Sequence, residues 1–218
     1  MMVYRMFDEG GLAMYIILVF MVFAMAIAFE RMFYVVFRAN INSTAFMAQI
    51  QKLIMANNID RAIRLCNAEP NAALPRIVKA GLTRANRTPE EIENAIDEAT
   101  LEVVPLVNKR TPYLSMLANV ATLTGLLGTI FGLIQAFDAV AHASAEMKQT
   151  LLAAGIAVAM FTTAGGLCCA IPTLILHSYI LNRTNKILDD LDQYGLKTLN
   201  LLTARRRGTL KDDAAAEA

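Results

Sequence analysis

The sequence predicts an all-α integral membrane protein: three transmembrane helices with long helical extensions on the cytoplasmic side. Three observations carry this prediction. Of the 218 residues, 56% are hydrophobic and 18% charged, against about 45–50% and about 25% in soluble domains. Three apolar stretches are long enough to cross a bilayer as a helix, which takes about 20 residues. Basic residues crowd the segments on one side of those stretches. The net charge of +1 gives no reason to expect nucleic acid as a partner; the expected surroundings are membrane lipid.

Residues 1–11 form a short periplasmic N-terminus, and the first span covers 12–37. Leu12 to Phe29 carries no charge, Glu30 and Arg31 interrupt, and Met32 to Phe37 resume the apolar run. A cleaved signal peptide fits poorly. The leading segment holds Asp8 and Glu9 beside Arg5, and the apolar core exceeds the usual length of about 7–15 residues and continues past Ala24-Met25-Ala26. Glu30 and Arg31 are adjacent, do not share a helix face, and mark the cytoplasmic end of the span.

Residues 38–110 read as a cytoplasmic helical domain. Asn42 or Ser43 caps a helix carrying Phe46, Ile50, Leu53 and Ile54 on one stripe. A short helix around Arg61 to Leu65 stops near Pro70, and another covers about 75–85. The strongest start signal is Thr88-Pro89-Glu90-Glu91. Thr88 caps, Pro89 suits the first helical position, and Glu91 completes a capping box. Behind it Ile92, Ile96, Ala99 and Val103 recur at helical spacing. Pro105 and Pro112 are expected to kink a continuous helix rather than end it.

The second span covers 111–137, a charge-free run of 27 residues, and the third covers 149–182, a charge-free run of 34. A short periplasmic loop, 138–148, joins them. Residues 183–218 extend the third helix as an amphipathic segment with Leu188, Leu191, Leu199 and Leu202. From Arg205 the charged, Ala-rich end is expected to be disordered. Ten Lys and Arg lie from Arg38 to Arg110 and seven follow the third span, whereas the opposite side has only Arg5 and Lys148. The positive-inside rule therefore places the N-terminus outside and the C-terminus in the cytoplasm.

The chain holds no GxxxxGK[ST] motif, so energy for work must come from elsewhere. Cys66, Cys168 and Cys169 lack CxxC spacing and read as packing residues. The spans contain no Ser/His pair, paired Asp or zinc-ligand cluster. The reading is therefore not an enzyme, with no cofactor or metal.

The hairpin carries two stripes of small or hydroxylated residues. They are Ala118, Thr122, Gly125, Thr129, Gly132 and Ala136 on the second span, and Gly155, Ala159, Thr163, Gly166 and Ala170 before Pro172 on the third. Gly128 belongs to the same packing set. Such stripes admit close helix approach, and Thr adds hydrogen bonds. Tight packing alone explains them, and a polar proton path is the sharper alternative. Intramembrane carboxylates are expensive and usually functional, yet neither span has one. If the hairpin conducts protons, the titrating carboxylate belongs to another polypeptide. His177, beyond Pro172, reads as interfacial.

Gly125-Leu-Leu-Gly-Thr-Ile-Phe-Gly132, followed by Phe137, resembles the second-span motif of the ExbB/TolQ/MotA proton-channel family. Gly155-Ile-Ala157, Thr163-Ala-Gly-Gly-Leu167 and Ala170-Ile-Pro172 are similar to its third-span GIAEAL…ATAxGLxxAIP segment. The motif match covers about Ala118 to Pro172, with ExbB and TolQ nearer than four-span MotA. The resemblance implies a ring-forming homo-oligomer, a pentamer, in a bacterial inner membrane. Its ring would surround a smaller ExbD/TolR-like partner whose single span carries a protonatable Asp. It further implies that Thr129 and Thr163 are pore threonines facing that Asp, with Thr122 and Thr162 adding hydroxyls to the pathway. Thr162 points away from Thr163 and is expected to face a neighbouring subunit. Where ExbB and TolQ carry a Glu five residues before the third-span Thr, this chain has Val158, so its function does not require that acid. The competing reading is a non-conducting scaffold that only packs partner helices.

Overall fold

The computed structural model describes residues 11–39 and 41–216; residues 1–10 of the expected periplasmic N-terminus lie outside it. Every regular element among the described residues is helical. Helix α1 spans Gly11–Phe33 and widens into a π-helical turn at Tyr34–Ala39. Then follow α2 (Ser43–Met55), α3 (Ile59–Ala68), α4 (Ala73–Thr83), α5 (Pro89–Asn108), α6 (Thr111–Ala141) and α7 (Ala145–Ala216). Three stretches are long and apolar enough to cross a membrane, within Ala13–Val36, Pro89–Ala141 and Ala145–Gly208. At about 1.5 Å per residue the 72 residues of α7 measure roughly 108 Å, against a hydrocarbon core of about 30 Å. Most of α7 therefore lies beyond any bilayer it crosses.

The chain divides into two compact units. One holds the residues up to Arg31 with Arg110–Ile180; the other holds Met32–Lys109 with the residues from Leu181. In the first, membrane-spanning unit, α6 and the start of α7 form an antiparallel hairpin whose small residues interlock. Gly125 meets Gly166 and Thr163, Gly128 meets Thr162, Gly132 meets Ala159, and Gly155 meets Ala136. Helix α1 joins this hairpin where Met14 covers Gly165 and where Ile17, with Phe20 beside it, packs on Ala121 and Cys169. Large apolar side chains such as Phe23, Ile130, Met160 and Ile175 face outward, the inverse of a soluble domain. Glu30 forms an ion pair with Arg110, the N-cap residue of α6, and lies 3.5 Å from Arg31. Adjacency on a helix therefore does not keep the two long side chains of Glu30 and Arg31 apart.

Proline behaves differently from expectation at the start of the second span. Pro105 sits inside α5 without ending it, and Pro112 falls in the first turn of α6, where a missing N–H costs nothing. The helix is instead interrupted at Lys109 and Arg110, and Arg110 adopts a left-handed backbone, φ 65°. For a residue with a Cβ that conformation costs about 1–2 kcal/mol, and the ion pair with Glu30 helps to hold it.

In the second unit, α2 to α5 pack in sequence with the later part of α7. Asn42 resolves the capping alternative, since its Oδ1 accepts the Ala45 N–H at 3.2 Å. Ser43 instead donates to Asp190 of α7 at 2.7 Å. The capping box forms as expected. Glu91 N–H donates to Thr88 Oγ1 at 3.3 Å, and Thr88 N–H donates to Glu91 at 3.0 Å. Ile50, Ile54, Ile77, Leu82, Ile92, Leu191 and Leu202 are fully buried. Cys66 is buried with them, and that burial pushes its thiol up to about 12, consistent with a packing role. Helix α7 continues to Ala216, where the sequence predicts disorder from Arg205. Arg205 donates to Asn57 at 2.8 Å and Arg206 to the Arg87 carbonyl at 3.1 Å, and the Ala-rich end favours helix intrinsically.

Two expectations follow. A Cβ on Gly166 would stand 2.8 Å from the Ala121 carbonyl and 3.1 Å from Gly125 Cα, backbone atoms that cannot yield. Gly166→Val should destabilise the hairpin by about 1–3 kcal/mol. Gly208→Ala, where nothing lies within 4 Å, should leave thermal unfolding in detergent unchanged, so equal melting of the two variants would contradict the packing described. At the capping box, Thr88→Ala should cost about 1 kcal/mol. The Thr88 N–H and hydroxyl hold the Glu91 carboxyl below the usual carboxylate range. The depressed folded value means this contribution is present above the ordinary carboxylate range and is lost as pH falls through it. Acid unfolding of Glu91→Gln should therefore be shallower than wild type in that window, and superimposable curves would be the contrary result.

Candidate functional site

The charge-free runs of the hairpin, 111–137 and 149–182, offer polar chemistry without a titratable carboxylate, and the placement of their threonines decides what they can do. Along α6 the glycines and alanines turn towards α7, while Thr122 and Thr129 stand on one flank of that seam. Seven residues separate these two threonines, which brings them to within about 20° on a helix. Thr122 is exposed and donates to the Ala118 carbonyl at 3.1 Å; Thr129 is half-buried and donates to the Leu126 carbonyl. Thr163 is half-buried and reaches across the seam, its hydroxyl 3.4 Å from the Gly125 carbonyl. It shares the flank of Thr122 and Thr129. Each hydroxyl that donates to a carbonyl keeps its lone pairs as acceptors.

Thr162 lies elsewhere. It is buried inside the hairpin against Gly128, and its hydroxyl donates to the Ala159 carbonyl at 2.8 Å. The expectation that it faces a neighbouring subunit is corrected: a glycine on α6 leaves a space that the Thr162 side chain fills within the same chain. Gly125, Gly128, Gly132, Gly166, Ala159 and Ala170 are buried and Gly155 half-buried, whereas Pro172 is exposed and takes no part in the seam. Helix α7 passes Pro172 unbroken. Immediately after it, Thr173 donates to the Cys169 carbonyl at 2.8 Å, a local hydrogen bond of the kind that supports proline-bearing spans.

On the opposite flank a groove of about 500 Å³ opens beside the first turns of α1, and Val158, Thr124, Thr162 and Gln135 line it. Five residues on a helix turn through about 140° net, so Val158 and Thr163 point to different flanks. Thr124 and Gln135 carry the groove's polarity and escape a reading that follows only the glycine stripe. Thr124 stands four residues before Gly128 and could have been found from that spacing. Gly165 was likewise missed as a contact point, because what meets it is Met14 of α1. Among the described residues no group of three or more His, Cys, Asp or Glu gathers as a metal site.

A family model described as the MotA/TolQ/ExbB proton channel family matches residues 69–193. The chain is 24% identical over 190 residues to a putative biopolymer transport protein ExbB homolog of Methanothermobacter thermautotrophicus, covering 87% of this chain and 67% of the relative. It is 29% identical over 169 residues to a putative biopolymer transport protein ExbB-like 3 of Synechocystis, covering 76% and 79%. It is 33% identical over 132 residues to the Tol-Pal system protein TolQ of Haemophilus influenzae, covering 58% and 50%.

The groove generates its own expectation. Val158→Glu would place a carboxylate in a groove of mostly apolar atoms, where the charged form is the costlier one to desolvate. The variant should be less stable at pH 8 than at pH 5 relative to wild type, read from thermal unfolding in detergent. An effect independent of pH would show that position 158 is open to water.

Proposed function

The chain belongs to the MotA/TolQ/ExbB proton channel family, and from that membership we propose that it is a ring subunit of an inner-membrane, proton-driven motor. In this reading several copies, five by family resemblance, surround an ExbD/TolR-like partner whose single span carries the protonatable Asp. The N-terminus lies in the periplasm and the C-terminus in the cytoplasm. The proton motive force is converted into mechanical work exported to the periplasm or outer membrane, for energised transport, envelope maintenance or gliding. The observation that carries the proposal is the flank of Thr122, Thr129 and Thr163 on two charge-free runs, 111–137 and 149–182, that hold no acid.

The chemistry is complementary. A protonated carboxylic acid is a donor, and threonines whose own protons are directed to backbone carbonyls present acceptor lone pairs to it. An ionised carboxylate finds no cation on that flank to trap it. The threonine wall therefore favours the neutral form during passage, and release occurs where water is reached. A unit charge crossing 100 mV is worth about 2.3 kcal/mol, so a few protons suffice for a substantial rearrangement. A second reading, a scaffold that conducts nothing, draws on one observation: the glycines of the stripe are occupied by packing within the chain. The threonine flank supports the first.

Thr163→Val is nearly isosteric and should preserve assembly. Loss of one such hydrogen bond, about 1 kcal/mol, should slow partner-dependent proton flux into liposomes about fivefold. Undiminished flux would remove Thr163 from the pathway. The chain reconstituted alone should carry little proton current, since the titrating group is the partner's.

A further inference from the structure

The second unit carries two faces of opposite charge. Helix α5 holds six acids and no base, while α2, α3 and α4 together hold five bases (Lys52, Arg61, Arg64, Arg76 and Lys79) and one acid, Asp60. Glu91 belongs to the capping box. Glu90, Glu93, Asp97, Glu98 and Glu102 are exposed, and among the described residues none of them pairs with a base of α2 to α4. Charge of this density left unpaired on a packed surface costs self-repulsion unless something opposite covers it.

Each face also offers apolar surface. Between α5 and α7, Glu93, Asp97 and Asp192 rim a shallow groove of about 170 Å³ with Leu196 and Leu199. Leu196 is 61% exposed and Leu101, one turn after Asp97 on the acidic helix, 77%. Between α2 and α3 lies a wider groove of about 910 Å³. Half-buried Leu53 and Leu65 and exposed Ala68 line it together with Gln49, Asn58, Asp60, Arg61 and Arg64. Exposed leucines beside carboxylates on one face, and half-buried leucines beside two guanidiniums on the other, are complementary in charge and offer apolar surface to each other.

The two faces cannot touch within one copy. On α7, Tyr194 and Arg205 turn towards α2 and the loop that follows it, contacting Thr44 and Asn57. Leu196 lies two residues from Tyr194, about 200° round the helix, so the acidic groove opens on the other flank of α7. Complementary patches on opposite flanks make a head-to-tail contact, and head-to-tail contacts close into rings when the rotation permits. We propose that the α5 face of one copy docks on the α2–α3 groove of the next, with Glu93 and Asp97 against Arg61 and Arg64 and the exposed leucines against Leu53 and Leu65. This contact rests on the ring reading given above, names the surfaces through which the non-membrane parts of neighbouring copies meet, and orients them in one sense around the ring.

The experiment uses the full chain in detergent, with native mass spectrometry reading the oligomer and circular dichroism confirming helicity. Glu93→Lys with Asp97→Lys, and Arg61→Glu with Arg64→Glu, should each lower the oligomer fraction about tenfold at fixed concentration. That figure corresponds to the reversal of a few exposed ion pairs at 0.2–1 kcal/mol each. The fourfold variant, with both faces reversed, should recover the wild-type fraction. A wild-type oligomer unmoved by either reversal overturns this contact alone. So does a fourfold variant that stays helical and dissociated. Variants that assemble normally but lose function in cells would assign the face to a different protein, which also overturns the contact. A wild-type chain that is monomeric throughout overturns the ring reading and this contact together.

Discussion

Where Gly125 and Gly166 face each other, the α6 and α7 backbones approach so closely that a methyl group on either would press on backbone atoms of the other helix. In lipid there is no apolar surface to be hidden from water, so helices associate through close packing and hydrogen bonding. The other features of the membrane-spanning unit follow from this contact. It brings the Thr163 hydroxyl within reach of the Gly125 carbonyl and gives the Thr162 side chain a bed at Gly128. It also leaves a ledge on which α1 settles through Met14 and Ile17. Widening the seam by one methyl would loosen all of these at once.

A hairpin assembled this way has little room for ionised groups, and that shapes its chemistry. The hydroxyls of Thr122, Thr124, Thr129, Thr162 and Thr163 satisfy their protons on backbone carbonyls, so they present acceptors rather than charges. A wall of this kind neither traps a carboxylate nor competes with it for protons, and it suits a passing titratable group better than a fixed one. Val158 agrees with this division: the position lines the groove beside α1, on the flank away from Thr163.

Much of this was legible because it is written in local patterns. Charge-free runs mark the spans, Thr88-Pro-Glu-Glu91 marks the start of α5, and spacings of three and four mark the seam. What the pattern did not separate is which stripe residues face the seam and which flank it, because Thr122 and Thr129 stand only about a sixth of a turn from the glycines. Contacts to α1 were illegible, since Met14 and Gly165 are far apart in sequence and neither is unusual alone. The break at Arg110 was illegible, and only kinks at the prolines were expected, because a left-handed arginine depends on Glu30, a partner eighty positions away. The ordered end of α7 likewise rests on Asn57 and the Arg87 carbonyl.

The three cysteines differ in a way that bears on observation. Cys66 and Cys169 are buried, and only Cys168 is exposed, on the outer surface of the third span just before Pro172. A maleimide-bearing fluorophore or nitroxide small enough to partition into detergent would thus find one receptive sulfur without any engineered change. Its emission or line shape would register whatever comes to lie against that stretch of helix, whether acyl chains, a sister subunit or a second polypeptide. The chain carries its own reporter on the outer face of that span.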